Sequence, residues 1–223
     1  MLGRINGDCD GRVYVLSWAM GFYAKHVLPR CLDMACGIGP ISKQREKVVP
    51  HAEGLVLEIG IGSGQNLPFY NADKVSKIIG VDPDEHIWKR GKARRKACPI
   101  EIERIGLSGE DIPLEKNLAD TVVVTYSLCT IPDPIKALNE MTRILKPGGK
   151  ILFTEHGKAP DAKVHTWQNR IDPLWKTIAG GCHSGRDIPE LFRQANLKFD
   201  TLEEMYIPGP KVLGYNYWGA ARA

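Results

Sequence analysis

From residue 54 onward the chain alternates short apolar runs, rich in β-branched residues, with longer segments of helical periodicity. This alternation is typical of a parallel sheet with helices on both faces, so we expect an α/β fold. The predicted strands are residues 55–59, 77–81, 100–105, 120–126 and 150–155, and the predicted helices are residues 84–98, 134–146 and 186–197. In the last of these helices, Asp187 is the expected N-cap, with Pro189 in the first turn.

The end of the chain follows a different pattern. Residues 199–207 and 212–223 are predicted strands, and the turn "PGPK" between them is too short for a crossover helix. The last strand pair should therefore be antiparallel. Together these elements predict a seven-stranded, mostly parallel sheet with an antiparallel last strand.

The composition excludes several classes of protein. A length of 223 residues suits one α/β domain, and 43% apolar with 25% charged residues is ordinary for a globular protein rather than a fibrous, disordered or polytopic membrane chain. The net charge of +4 is spread along the chain and predicts no nucleic-acid partner. We interpret the basic run "KRGKARRK" (89–96) as a solvated helix face rather than an anion or lipid-headgroup patch.

Cysteine spacing and the N-terminal segment bear on metal binding and location. The six cysteines form no CxxC pair and no thiolate–imidazole spacing typical of zinc sites, so no metal is predicted. No secretory signal pattern is present, which favours a reducing cytoplasm. Residues 13–36 are rich in apolar and aromatic side chains, but charges interrupt them too often for a spanning helix. They form either a helical cap over the core, which we favour, or an amphipathic segment resting on a membrane surface.

The first predicted strand runs into a glycine-rich turn, "VLEIGIGSGQN" (56–66), at the sheet edge where parallel α/β folds bind ligands. Gly60, Gly62 and Gly64 allow a sharp bend and close approach of a ligand to the backbone. Their G-x-G-x-G order differs from the dinucleotide fingerprint G-x-G-x-x-G, and Glu58 would repel a pyrophosphate but suit a cation. An adenosine sulfonium carries such a cation, and Asp82 is placed to accept hydrogen bonds from ribose hydroxyls.

These features resemble a known family. Together with "SGEDIPLE" (108–115), "DTVVVTYSLCTIPDP" (120–134) and "RILKPGGKILFTEH" (143–156), they resemble, in order, the motifs of the class I S-adenosylmethionine-dependent methyltransferases, nearest the quinone-biosynthesis branch. The resemblance implies a Rossmann-like fold, with S-adenosyl-L-methionine as cofactor and S-adenosyl-L-homocysteine as product. It also implies one domain over residues 1–223. Its expected parts are an N-terminal helical cap (1–50), a cofactor-binding core (54–156), a substrate-side insertion (157–185) and a C-terminal helix and strand pair (186–223).

The resemblance assigns cofactor contacts to particular residues. It implies that Glu58 and Gly60 border the methionine end and that Asp82 binds the ribose. Ser108 stands where many relatives have an aspartate at the adenine edge, so a hydroxyl or the backbone must replace that carboxylate. The implied cofactor-binding residues are Glu58, Gly60, Gly62, Gly64, Asp82, Pro83, Ser108, Gly109, Ser127 and Leu128.

The C-terminal third is similar to a narrower group, the animal alkyl thiol methyltransferases of the methyltransferase-like 7 group. The stretch from residue 154 to residue 197 shares their acid–histidine pair, Trp-Gln, Pro-x-Trp-Lys and Gly-Cys segments. Those proteins are membrane-associated through a hydrophobic N-terminus, whereas the N-terminal segment of this chain is more polar. The implied acceptor is a small or lipid-like molecule, a thiol first. The implied location is cytoplasmic, with peripheral membrane contact through the N-terminal segment left open.

His156 and His183 are the candidate catalytic bases. His156 ends the fifth predicted strand beside the expected substrate mouth, and His183 lies in the glycine-bounded loop "GGCHSG". The alternatives are a histidine hydrogen-bonded in a loop and a mobile lid residue. Cys182 is interpreted as a small buried hydrophobe, since a one-step methyl transfer requires no nucleophile, and Asp133 as a helix cap.

Three functions are compatible with these sequence features. The leading one is a methyltransferase acting on a thiol, with a quinone or a phospholipid headgroup as the next acceptors. A nicotinamide-dependent oxidoreductase is disfavoured by the glycine spacing and by Glu58. The third is a non-catalytic module that binds S-adenosylmethionine.

Overall fold

Seven strands form a single sheet in the computed structural model of the protein, which describes residues 23–223. They are β1 (Gly54–Ile59), β2 (Val75–Val81), β3 (Glu101–Ile105), β4 (Ala119–Thr125), β5 (Leu145–His156), β6 (Lys198–Tyr206) and β7 (Tyr215–Arg222). Their order across the sheet is β3-β2-β1-β4-β5-β7-β6. The first five strands are parallel to one another, and β7 is antiparallel to both β5 and β6. The predicted sheet is confirmed.

The helices pack on both faces of this sheet. They are α1 (Leu28–Cys36), α2 (Gly39–Arg45), α3 (Glu85–Arg90), α4 (Lys92–Ala97), α5 (Pro134–Ile144), α6 (Ala162–Ile178), α7 (Ile188–Gln194) and α8 (Lys211–Gly214). A π-helical turn (Tyr23–Val27) precedes α1. Alternate residues of β4 belong to opposite cores: Val122 and Val124 lie in one buried cluster and Val123 in the other. A strand covered on both faces explains why this run is continuously apolar.

The helix starts follow the predicted caps. The carboxylate of Asp133 accepts a hydrogen bond from the Lys136 N–H at the start of α5, and Asp187 accepts one from the Glu190 N–H at the start of α7. The predicted helix over residues 84–98 is two helices, α3 and α4, which meet at Gly91. A Cβ at Gly91 would lie 2.3 Å from the carbonyl oxygen of Ser63, so the backbone there passes directly against the glycine-rich turn.

The N-terminal prediction falls only partly within the described residues. Residues 1–22, which belong to the predicted cap (1–50) and to the candidate membrane segment (13–36), lie outside them. The described remainder contains α1 and α2. Among residues 23–223, no helix is both long enough and apolar enough to cross a bilayer.

Candidate active site

A cavity of about 370 Å³ opens at the carboxyl ends of the central strands, a volume typical of small-ligand sites. Eight of the ten predicted cofactor-binding residues line it: Glu58, Gly60, Gly62, Asp82, Pro83, Ser108, Gly109 and Ser127. The other two, Gly64 and Leu128, lie behind the wall. A Cβ at Gly64 would collide with Leu67, and Leu128 is fully buried in the core.

The glycine-rich turn after β1 depends on backbone that only glycine adopts easily. Gly60 has φ = 71°, and a Cβ there would lie 2.0 Å from the Ser127 hydroxyl oxygen. Gly62 has φ = 49°, and its N–H donates to Oδ2 of Asp82 at 2.9 Å. The absent side chains therefore bring the turn against both neighbouring strand ends.

Asp82 connects this turn to the next helix. Its Oδ1 accepts the Asp84 N–H at 2.8 Å while Oδ2 accepts the Gly62 N–H, and Arg104 donates to its carbonyl oxygen at 2.9 Å. Burial raises the pKa of the Asp82 carboxyl, although the two N–H donors act against that shift. Asp82 is thus fixed at the cavity wall as an acceptor, as a ribose-binding residue requires.

Glu58 is a fully buried carboxylate on the cavity wall. Its Oε1 accepts from Asn66 Nδ2 at 3.0 Å and its Oε2 accepts from the Tyr70 hydroxyl at 2.7 Å. Burial raises its pKa to about 7 despite these two donors. A cation in the cavity would favour the ionised form. Asn66 and Tyr70 were missed by the sequence reasoning, although Asn66 ends the same glycine-rich motif.

Two serines on the wall have their hydroxyls engaged. Ser108 donates to Glu110 Oε2 at 2.8 Å, so its hydroxyl orients the loop after β3. Ser127 donates from its hydroxyl to the Thr125 carbonyl at 3.1 Å, while its N–H donates to Glu155 Oε1 at 2.7 Å. Glu155 was not predicted as part of the site, yet its carboxylate holds the turn that follows β4.

Helix α1 closes one side of the cavity through Asp33. Its Oδ1 accepts from the Ser63 hydroxyl at 2.6 Å and from Gln65 Nε2 at 2.8 Å, both in the glycine-rich turn. Arg94 and Arg90 form ion pairs with the same carboxylate at 2.9 and 3.3 Å. Arg90 is exposed, as a solvated face requires, whereas Arg94 is half-buried, so the interpretation of "KRGKARRK" as a solvated face does not hold for Arg94.

Tyr126 lies between β4 and the turn, with a positive φ of 52° that is rare for a bulky side chain. It lines the cavity, and its hydroxyl donates to Asn216 Oδ1 at 2.6 Å. The Arg45 guanidinium lies 5.0 Å from the centre of its ring, and Arg45 also donates to the Cys36 carbonyl at 2.6 Å. Such backbone geometry marks many functional sites, but no sequence pattern signals it.

The two candidate bases do not lie on the cavity wall. His156 Nε2 is 3.2 Å from Cys182 Sγ, and His183 Nδ1 is 2.7 Å from Asp172 Oδ2. The cavity is instead lined nearby by Thr130, in the turn after β4, and by Gly180, in the loop that holds His183. The roles of both histidines as bases stay predictions. Cys182, which was interpreted from the sequence as a small buried hydrophobe, has two polar partners at its sulfur, Trp175 Nε1 and His156 Nε2.

These residues fit S-adenosylmethionine. A bent turn without side chains gives a nucleoside close access to backbone, Asp82 offers an acceptor, and Glu58 offers a buried carboxylate that needs a cation. A pyrophosphate would be repelled by the same carboxylate.

Comparison with known proteins agrees with this geometry. A family model described as "Methyltransferase domain" matches residues 57–153. The thiol S-methyltransferase TMT1B of Rattus norvegicus is 34% identical over 172 residues, which is 73% of this chain and 70% of that protein. The chain belongs to the S-adenosylmethionine-dependent methyltransferases.

Two more distant matches are a curated methyltransferase and a solved structure. The demethylmenaquinone methyltransferase of Bacillus cereus is 34% identical over 80 residues, covering 35% of this methyltransferase and 34% of that protein. A solved S-adenosylmethionine-dependent methyltransferase from Leishmania major superposes with a TM-score of 0.65 at 16% identity, covering 92% of this chain and 82% of that one. At that identity the superposition shows the fold alone. The cofactor of this methyltransferase is S-adenosylmethionine, which supplies a methyl group already activated on a sulfonium.

Proposed function

We propose that this methyltransferase transfers the methyl group to the sulfur of a small alkyl thiol. The observation that carries the proposal is that the described residues on the cavity wall include no histidine, and no carboxylate or phenol without a hydrogen-bond partner. Their carboxylates and the one phenol are all hydrogen-bonded or ion-paired: Asp33, Glu58, Asp82, Asp84 and Tyr126. A thiol with a pKa of about 8.5 is partly ionised at neutral pH and needs no base, unlike a carbon or hydroxyl acceptor.

The rest of the wall suits an apolar acceptor. Leu28 and Leu32 of α1 face the cavity, as do Ile131 and Pro132 after the β4 turn. In the proposed step the acceptor sulfur bonds to the methyl carbon as the sulfonium–methyl bond breaks, and the thiol proton passes to solvent. The protein's part is to align the two sulfurs and exclude water, which can contribute about 7–11 kcal/mol toward the barrier. The similarity to the rat thiol S-methyltransferase supports this acceptor.

The test compares matched acceptors. The enzyme is incubated with methyl-labelled cofactor and alkyl thiols, the alcohols of the same chain length, a demethylated quinone and a phospholipid, and the products are weighed by mass spectrometry. We expect label on thiols only, with a rate that rises with the ionised fraction of the thiol. Label on the quinone or phospholipid but on no thiol would refute the proposal and favour the alternative acceptors. Cofactor binding without any methylated product would favour the non-catalytic module.

We also propose a cytoplasmic protein that touches membranes peripherally. Met34 on α1 and Leu174 and Ile178 on α6 are exposed apolar side chains. The two helices are neighbours here, since a Cβ at Gly180 would contact Leu28. Apolar side chains on such adjacent helices would suit a lipid surface.

Vesicle flotation tests this contact. Wild type should float with vesicles, and the double variant Met34→Glu/Leu174→Glu should not. Leu202→Glu, which alters an exposed leucine on β6, is the matched control and should float. Equal flotation of all three proteins, or of none, would contradict the proposal.

A further inference from the structure

Three potential metal ligands converge behind the cavity wall. Cys129 lies in the turn after β4, His156 is the last residue of β5, and Cys182 lies in the loop that follows α6. Their ligand atoms all lie within 4.8 Å of one another, and within residues 23–223 no other group of three His, Cys, Asp or Glu residues comes this close. About 26 residues separate Cys129 from His156 and His156 from Cys182, so a search for compact ligand motifs in the sequence does not find this group.

The spacing of these atoms suits one small, soft cation. Zn–S bonds of about 2.3 Å and Zn–N bonds of about 2.0 Å place two tetrahedral ligand atoms about 3.5 Å apart. Cys182 Sγ lies 3.2 Å from His156 Nε2, so small side-chain shifts would admit the ion. Two thiolates with an imidazole select zinc over hard cations, which prefer oxygen ligands.

The surroundings of the cluster also favour a ligand there. The indole Nε1 of Trp175, which can only donate, points to Cys182 Sγ at 3.4 Å, so this sulfur acts as an acceptor.

Charge balance is compatible with a divalent ion. Two thiolates would neutralise it, and the nearby Glu155 carboxylate is offset by the Arg186 guanidinium, which donates to the Ile131 carbonyl at 2.6 Å. No uncompensated charge would remain in this partly buried region.

We propose that Cys129, His156 and Cys182 bind one zinc ion, with His156 coordinating through Nε2 and the fourth position left to water. Binding releases the two thiol protons to solvent. The ion joins the loop after α6 to the ends of β4 and β5. It thereby fixes Thr130 and Gly180, the neighbouring residues that line the cavity, and gives His156 a role other than that of a base.

The test uses the full chain, stripped of metal with a chelator under reducing conditions and titrated with Co²⁺. We expect one equivalent to bind with the sulfur-to-cobalt charge-transfer band and the strong visible bands of a tetrahedral thiolate site. Zn²⁺ should abolish both. Elemental analysis after zinc loading should give one zinc per chain.

Paired variants make the result specific. Cys129→Ser/Cys182→Ser should lower bound zinc at least tenfold and remove the charge-transfer band. Cys31→Ser/Cys98→Ser removes the same number of free thiols elsewhere and should retain both signals. Circular dichroism checks that each variant is folded, and His156→Ala provides a second loss-of-ligand variant that keeps both thiols.

Three results would overturn the proposal. The first is less than a tenth of an equivalent of Co²⁺ or Zn²⁺ bound by the reduced wild type. The second is an unchanged cobalt spectrum in both ligand variants. The third is a Cys129–Cys182 disulfide, found by non-reducing peptide mapping of the protein as isolated, together with no metal uptake after reduction.

Discussion

Cofactor binding should strengthen as pH rises through neutrality, because Glu58 must be ionised to attract a cation. Burial raises the pKa of this carboxyl to about 7 in the free protein. At pH 6 about one tenth of Glu58 is ionised, and at pH 7.5 about three quarters, so the apparent Kd should fall about eightfold over this range. The range ends below the pKa of about 7.7–8.0 expected for the cofactor's own α-amino group.

Calorimetry of S-adenosylmethionine binding at several pH values measures this dependence, and buffers of different ionisation enthalpy report proton release. At pH 6 wild type should release about 0.9 proton per cofactor bound. Glu58→Gln should bind more weakly, with neither the pH slope nor the release. Glu203→Gln, which removes an exposed carboxylate on β6 away from the cavity, is the control and should keep the wild-type slope. A flat wild-type profile, or the same slope in Glu58→Gln, would refute the reasoning.

Three further predictions follow from the geometry. Gly60→Ala should abolish cofactor binding and lower the free energy of unfolding by more than about 1–3 kcal/mol, since its Cβ would meet Ser127 Oγ at 2.0 Å. Gly148→Ala is the control, because Gly148 also has a positive φ of 81° but no heavy atom lies within 4 Å of the new Cβ. Urea denaturation of the two variants compares their losses of unfolding free energy. Equal losses would contradict the predicted clash between the Gly60 Cβ and Ser127. Asp33→Asn should raise KM for the cofactor several-fold with little change in Tm, because it weakens the contact between α1 and the glycine-rich turn; an unchanged KM would exclude that role. Burial raises the pKa of the Glu155 carboxyl to about 7, so the wild-type protein loses stability as the pH rises from about 4.5 to 7. The gain in unfolding free energy from Glu155→Gln should therefore be larger at pH 8 than at pH 5, by up to about 3 kcal/mol. A difference that does not change with pH would contradict this reasoning.

Local sequence patterns predicted the sheet because its strands are continuous apolar runs bounded by turns. The limits of such patterns show at Gly91. The helical periodicity of residues 84–98 is unbroken, yet the helix is interrupted at Gly91, where the Ser63 carbonyl oxygen lies 2.3 Å from the position that a Cβ would take. That contact joins two segments 28 residues apart, and only the packed fold reveals it. A longer separation conceals the partner of Arg94, which is Asp33, 61 residues earlier.

Much of the cavity wall was predictable for a related reason: one short motif carries both Glu58 and the glycines of the turn that follows it. The proposed acceptor side of the cavity is formed by α1, the turn that follows β4 and the loop after α6. These segments are far apart in the sequence, and long-range packing brings them together. Burying Glu58 costs the free protein stability, and two neutral donors from Asn66 and Tyr70 do not bring its pKa back to the ordinary range. A group that lowers the stability of the fold, such as this buried carboxylate, is expected where function requires it. We propose that the buried carboxylate is half of an ion pair that the sulfonium cofactor completes.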